Sequence, residues 1–140
     1  MDTNKVSAEP RIAIIEDDES LREALARFLR MKGWSVETFG SDEEASGVAN
    51  WGDFTVVLCD LLLPGGDGLS VLRRVRRASD TVVTVLITAH RGPDVAAQAG
   101  SAGVDRILVK PFSTKELEDS LQRLTGNDTG RGTAGAASSR

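Results

Sequence analysis

Thr55 to Cys59 is an unbroken apolar run rich in β-branched residues, T-V-V-L-C, followed at once by Asp60 and then by Leu61-Leu62-Leu63 and Pro64-Gly65-Gly66-Asp67-Gly68. A strand with no polar alternation is buried on both faces, which happens in parallel sheets covered by helices on each side. The Pro-Gly cluster stops the run, so Asp60 lies at the carboxyl edge of an inner strand. A carboxylate held there, partly out of water, either caps a helix or turn or belongs to a site. The residues that end the other strands decide between the two.

Taken in order, the chain alternates strand and helix. Ile12 to Ile15 is a short apolar run ending in Glu16-Asp17-Asp18-Glu19, after which Ser20 with Glu23 predicts a capping box and a helix with Leu21, Ala24, Leu25, Phe28 and Leu29 on one face. Gly33 closes that helix, and Trp34 to Phe39 alternates as an edge strand does. Ser41 with Glu44 repeats the capping box, but Gly47 and sparse apolar content make the second helix short. A third helix opens at Asp67 or Gly68 with Leu69, Leu72 and Val75 inward, and Arg73, Arg74, Arg76 and Arg77 read as a solvated face. Thr81 to Thr88 is the next buried strand. Pro93 sits in the first turn of a fourth helix reaching about Ala102, the loosest in the chain, with little to anchor it beyond Val95. Arg106 to Val109 forms a fifth strand, stopped by Lys110-Pro111. Ser113 with Glu116 caps a last helix whose Leu117, Leu121 and Leu124 share one face.

Five strands alternating with five helices predict an α/β fold, a flavodoxin-like doubly wound parallel sheet of strand order 2-1-3-4-5. The organisation expected is a flexible start over residues 1–10, one domain over 11–125, and a Gly-, Ala- and Ser-rich tail or linker over 126–140. A chain of 140 residues with 40% hydrophobic and 27% charged residues can bury one proper core and no more. A net charge of −4 argues against a nucleic-acid surface on this domain. The single cysteine, Cys59, rules out an internal disulfide and reads as packing, consistent with a reducing cytosol. No apolar run approaches a membrane span or an export signal, so the expectation is a protein that is neither exported nor embedded in a membrane.

In a doubly wound sheet the ligand site lies beyond the carboxyl ends of the strands. The first strand ends in Glu16-Asp17, the third in Asp60, the fourth in Thr88 and the fifth in Lys110. Carboxylates from strands one and three lie within about 4–6 Å, and each pair repels by roughly 3–4 kcal/mol at an effective dielectric of 20. Lys110 alone leaves excess negative charge, whereas an oxygen-only cage open to water suits Mg²⁺. The set as a whole has the character of a phosphoryl-transfer centre.

The sequence E-D-D after strand one, the lone Asp before L-L-L-P-G-G-D-G after strand three, T-A after strand four and K-P-F after strand five resemble the receiver domain of bacterial two-component response regulators, the CheY-like family, over about Arg11 to Leu124. The resemblance implies a phosphorylation-dependent switch rather than an enzyme with turnover on a separate substrate. It makes Asp60 the phosphoacceptor for a sensor histidine kinase or phosphotransfer protein. It assigns Mg²⁺ to Asp17, Glu16, Asp60 and the backbone carbonyl of Leu62, phosphoryl oxygens to Thr88 and the Ala89 amide, and a pairing role to Lys110, with a cis peptide before Pro111. It further implies a cytoplasmic location, a downstream effector domain or protein reached through the helix 4, strand 5 and helix 5 face, and a phosphorylation-dependent homodimer. Asp18, next to the acid pair, is left to cap the first helix.

Two positions depart from the family pattern. Ile107 stands where the family places a Tyr or Phe, and His90, two residues after Thr88, is the only histidine, either an exposed loop residue or a group at the mouth of the pocket. Rival assignments remain open at this point. A flavin-binding flavodoxin is disfavoured because Glu16 to Glu19 repels a phosphate. A haloacid-dehalogenase-like phosphatase places its nucleophile in a D-x-D after the first strand, where this chain has E-D-D. A receiver-like interaction module that is never phosphorylated has no evident need of the full acid, threonine and lysine set.

Overall fold

The computed structural model describes residues 9–126; the N-terminal segment before them and the tail expected over 126–140 lie, apart from Gly126, outside that range. Five parallel strands form one sheet: β1 (Arg11–Ile15), β2 (Ser35–Phe39), β3 (Val56–Asp60), β4 (Val83–Thr88) and β5 (Arg106–Val109), in the order β2-β1-β3-β4-β5. Between them run α1 (Glu19–Met31), the single turn α2 (Asp42–Ala45), α3 (Gly68–Ala78), α4 (Pro93–Ser101) and, last, α5 (Thr114–Thr125). A 3₁₀ turn at Trp51–Asp53 leads into β3, and Leu62–Leu63 pairs antiparallel with Gly66–Asp67 in a short hairpin after it. The expected topology and strand order are the ones observed.

Alternate residues of the inner strands feed two cores. Ile12, Ile14, Val56, Leu58, Val85 and Ile87 pack on one side with Leu25, Ala26 and Leu29 of α1 and Leu117 and Leu121 of α5. Ala13, Ile15, Val57, Cys59 and Leu86 pack on the other with Leu69, Leu72 and Val75 of α3, Trp51, Phe54 and Ala99. Every residue of β3 is buried, as its apolar run requires, and its ladder continues through Asp60, which pairs with Ile87.

Local sequence explains the element ends, with several corrections. α1 is capped by Asp18, whose Oδ1 accepts from the Leu21 N–H at 3.2 Å, rather than by Ser20. An Asp placed right after the strand end reaches the first free amides, and Ser20 falls inside the helix. On the same helix Ala26 is buried and Ala24 exposed, so the buried stripe runs through Leu25, Ala26 and Leu29. Gly33 ends the segment at φ +98°. At α2 the Ser41 hydroxyl accepts from Glu44 N–H, but Glu44 Oε1 accepts from Gly40 N–H instead of closing the box. The box at Ser113 and Glu116 is complete.

Arg76 is not on a solvated face. Its guanidinium donates to the carbonyls of Ser79 and Gly103, to Thr84 Oγ1 and, at 2.8 Å, to Asp105 Oδ2, tying α3 to the chain that links α4 and β5. Arg74, still partly exposed, pairs with Asp42 of α2 at 2.6 Å. Arg73 and Arg77 are exposed, as expected.

Candidate functional site

The parallel ladder delivers four chain segments to one edge. β1 runs straight into Glu16, fully buried, and Asp17, exposed; β3 ends in Asp60 at 6% exposure; β4 ends in Thr88, and β5 hands on to Lys110. The Lys110 N–H donates to the Thr88 carbonyl at 2.8 Å, so the last two strands close together. The Lys110-Pro111 peptide is cis. Behind Asp60 the chain turns back so tightly that Gly68 N–H donates to Leu61 O at 2.8 Å, and a Cβ at Gly68 falls inside contact distance of the Asp60 carbonyl. Only glycine fits there, which gives Gly68 of the P-G-G-D-G cluster a structural duty.

One carboxylate oxygen from each of Glu16, Asp17 and Asp60 lies within 4.8 Å of the others. Lys110 Nζ sits 2.9 Å from Asp60 Oδ2 and 3.2 Å from Glu16 Oε1. Glu16 Oε2 accepts from Asp18 N–H at 3.1 Å, yet Glu16 Oε1 is sealed from water and, though close to the ammonium, lies outside hydrogen-bonding geometry. Burial raises the Glu16 carboxyl above its ordinary value and neighbouring Asp60 adds to that, against the opposing pull of the Asp18 amide and Lys110. For Lys110, burial works against the charge, but the Asp60 hydrogen bond and the charges of Asp60 and Glu16 hold its pKa above the ordinary lysine value. Three carboxylates facing one ammonium leave a net negative cage with an orphaned buried oxygen. That donor set, oxygen only, fits a hard divalent cation.

Thr88 is buried to 1% and its Oγ1 accepts from His90 N–H at 2.9 Å, a local turn that parks the hydroxyl at the strand end. His90 is exposed, with Nδ1 3.5 Å from the same hydroxyl, and Ala89 is exposed beside it. Leu62 stands two residues past Asp60 in the hairpin, its side chain 62% exposed, and its N–H reaches Asp60 Oδ1 at 3.4 Å. Cys59 packs in the core; burial, and then the charge of adjacent Asp60, push its thiol well above the ordinary value and keep it inert. A cleft of about 540 Å³ beside the hairpin, lined by Asp42, Pro64 and Arg74 among others, lies apart from the strand-end residues.

Glu16, Asp17, Asp60 and Lys110, which the sequence places at the ends of separate strands, thus lie together in the structure. Sequence reasoning missed Arg22, whose guanidinium Nη1 donates to the Glu16 carbonyl at 2.9 Å. The signal was present only indirectly: once Asp18 is taken as the cap, Arg22 falls one turn into α1.

A family model described as response regulator receiver domain matches residues 12–122. The chain belongs to the receiver domain family. The C4-dicarboxylate transport transcriptional regulatory protein DctD of Rhizobium meliloti is 33% identical over 120 residues, 84% of this chain and 26% of that protein. The non-phosphorylated HemR receiver domain from Leptospira biflexa superposes with a TM-score of 0.78 at 29% identity, covering 84% of this chain and 94% of that one. The response regulator TrrA from Thermotoga maritima, solved in complex with Mg(2+)-BeF, gives a TM-score of 0.73 at 27% identity over 82% of this chain and 98% of its own. The chain spans about a quarter of DctD, 56% of the response regulator MprA of Mycolicibacterium vanbaalenii and 46% of the transcriptional regulatory protein TcrA of Mycobacterium tuberculosis. Like these relatives it is a receiver domain of two-component response regulators, a family whose role is signalling by phosphorylation.

Proposed function

We propose that this receiver domain takes a phosphoryl group onto Asp60 from a phosphohistidine of a sensor kinase or phosphotransfer protein. The observation that carries this is the Asp60 carboxylate itself: nearly buried, 2.9 Å from the Lys110 ammonium and within 4.8 Å of two further carboxylate ligands. An Asp60 oxygen attacks phosphorus, the P–N bond to the imidazole breaks, and its electron pair stays on the departing ring, which takes a proton from solvent. The product is an acyl phosphate. Lys110, already paired with Asp60 Oδ2, exchanges that partner for a phosphoryl oxygen. The Thr88 hydroxyl and the Ala89 amide bind the other oxygens, and for this the Thr88 hydroxyl leaves its turn with His90. Glu16, Asp17, Asp60 and the Leu62 carbonyl would hold a Mg²⁺ ion, which when bound supplies the positive charge that lets an anionic donor approach. Water attack on the acyl phosphate resets the switch, so turnover is limited to the domain's own phosphate.

The domain spans residues 11–125 and works in the cytosol, with its output passing through α4, β5 and α5 to an effector domain or protein, or to a second phosphorylated copy. DctD and TcrA are transcriptional regulatory proteins, and their greater length supports an effector elsewhere. With acetyl phosphate and Mg²⁺ the wild type should gain one phosphoryl group, labile in alkali, and Asp60→Asn none. Mass spectrometry that places the modification on a Ser or Thr overturns the assignment.

A further inference from the structure

Glu16 leaves the sheet one residue after the last rungs of β1, which pair Ile15 with Phe39 and Cys59. Its N–H still donates to the Phe39 carbonyl at 3.0 Å, but among the described residues no backbone amide reaches its carbonyl oxygen. The donor there is the Arg22 side chain, Nη1 at 2.9 Å. Arg22 also gives its own backbone N–H to the Asp18 carbonyl at 2.9 Å, so one residue holds the Glu16-Asp17-Asp18 turn from both ends. The Asp17 carboxylate is exposed and makes no hydrogen bond among the described residues. With no side-chain partner to hold it, Asp17 depends on its backbone for placement, and Arg22 fixes the carbonyl oxygen of the Glu16–Asp17 peptide plane. From the opposite side Gly40 leaves the room: a Cβ there would stand 3.2 Å from Arg22 Nη1.

We infer that Arg22 is a positioning residue of the phosphoryl site, presetting Glu16 and Asp17 for the divalent cation through the Glu16 carbonyl. This rests on Glu16, Asp17 and Asp60 forming the cation cage. The charge of Arg22 acts in the other direction, because a guanidinium held at the Glu16 backbone repels a cation approaching the same cage. Neutralising Arg22 therefore has opposite signs for the two roles: weaker cation binding if it positions, tighter binding if only its charge matters. Loss of an orienting hydrogen bond to a metal ligand typically costs about tenfold or more in affinity.

The test is a Mg²⁺ titration of the full chain, followed both by the midpoint of thermal unfolding and by phosphoryl uptake from acetyl phosphate. Asp17→Asn serves as the control for the cage: it should lose the Mg²⁺ response, and if it responds as the wild type does, the cage is misassigned and the inference falls with it. Given that control, Arg22→Met should raise the half-saturating Mg²⁺ concentration about tenfold, with uptake largely recovered at saturating Mg²⁺. Arg22→Lys, which keeps a donor, should fall between, and Gly40→Ala should shift in the same direction by crowding the guanidinium. An unchanged or lowered half-saturation in Arg22→Met overturns the inference. So does an uptake defect that no Mg²⁺ concentration restores together with a lower unfolding midpoint in chelator, the signature of mere structural support.

Discussion

Glu16 shows how a single residue can be costly to the fold and useful to the site. It is fully buried with one carboxylate oxygen lacking a hydrogen bond, and burial followed by the charge of Asp60 raises its pKa above the usual 4.5. When a carboxyl titrates higher in the folded state, the unfolded chain gives up its proton first as pH rises. Stability is then greatest below about pH 4.5 for this group and declines as pH climbs through the folded value. Asp60, Lys110 and the Asp18 amide face it, so their contributions must be subtracted by comparison with a variant. In chelator, Glu16→Gln should be more stable than the wild type at about pH 7.5, and the difference should shrink toward about pH 4. Urea midpoints across that range measure it. A difference that does not vary with pH shows that ionisation of Glu16 carries no cost. Adding Mg²⁺ should close the gap at the higher pH, since a bound cation relieves the same charge.

At the scale of elements, the packing of α3 depends on Arg76 as well as on its apolar face. Arg76→Met removes donors to the carbonyls of Ser79 and Gly103, to Thr84 Oγ1 and to Asp105. The loss should destabilise the domain by roughly 1–3 kcal/mol, read as a shift in urea midpoint at constant slope, with Arg76→Lys recovering only part because ammonium lacks the planar fork. A loss under about 0.5 kcal/mol would place Arg76 with ordinary surface arginines. This clamp was not legible in the sequence. Four arginines in five positions have the same local pattern, and which of them crosses to Asp105 depends on where α4 ends, a relation between distant segments. By contrast β1 and β3 could be read directly, because a strand buried on both faces writes an uninterrupted apolar run, and β5, at the sheet edge with only Leu108 buried, was marked by its short Ile-Leu-Val run before Lys110-Pro111. The site residues were readable for the same reason: each is the first polar residue after such a run, so locating the strand ends located Glu16, Asp60, Thr88 and Lys110. The sequence offered both Asp18 and Ser20 as caps of α1, and only the exit direction of β1 chooses Asp18.

Across the whole molecule, stability is unevenly shared among the helices. α3 buries Gly68, Leu69, Val71, Leu72 and Val75, whereas α4 buries only Ala99 within its length and leans on partly buried Val95. α4 also starts at Gly92, φ +125°, with no side-chain cap, while its far end is held by Val104 N–H on the Ala99 carbonyl and by Arg76 on the Gly103 carbonyl. The helix is thus weakly held at the end nearest Thr88 and firmly held at the other, the distribution expected of an element that swings. On the proposed function, a phosphoryl group on Asp60 would draw the Thr88 hydroxyl from His90 N–H and pull the Ala89-His90-Arg91 loop with it, biasing the first turns of α4. Ile107 packs against the same core as Val95 and Ala99 and lacks a ring, so any such shift would reach it through packing alone. Phosphorylation should therefore change amide hydrogen exchange most between residues 89 and 109, more in the first half of α4 than near Ala102, with α1 nearly silent. Ile107→Tyr should enlarge the change by giving the moving loop a larger group to displace. Exchange that slows uniformly over all five helices would mean that α4 is not the switch and that phosphorylation merely stabilises the whole domain.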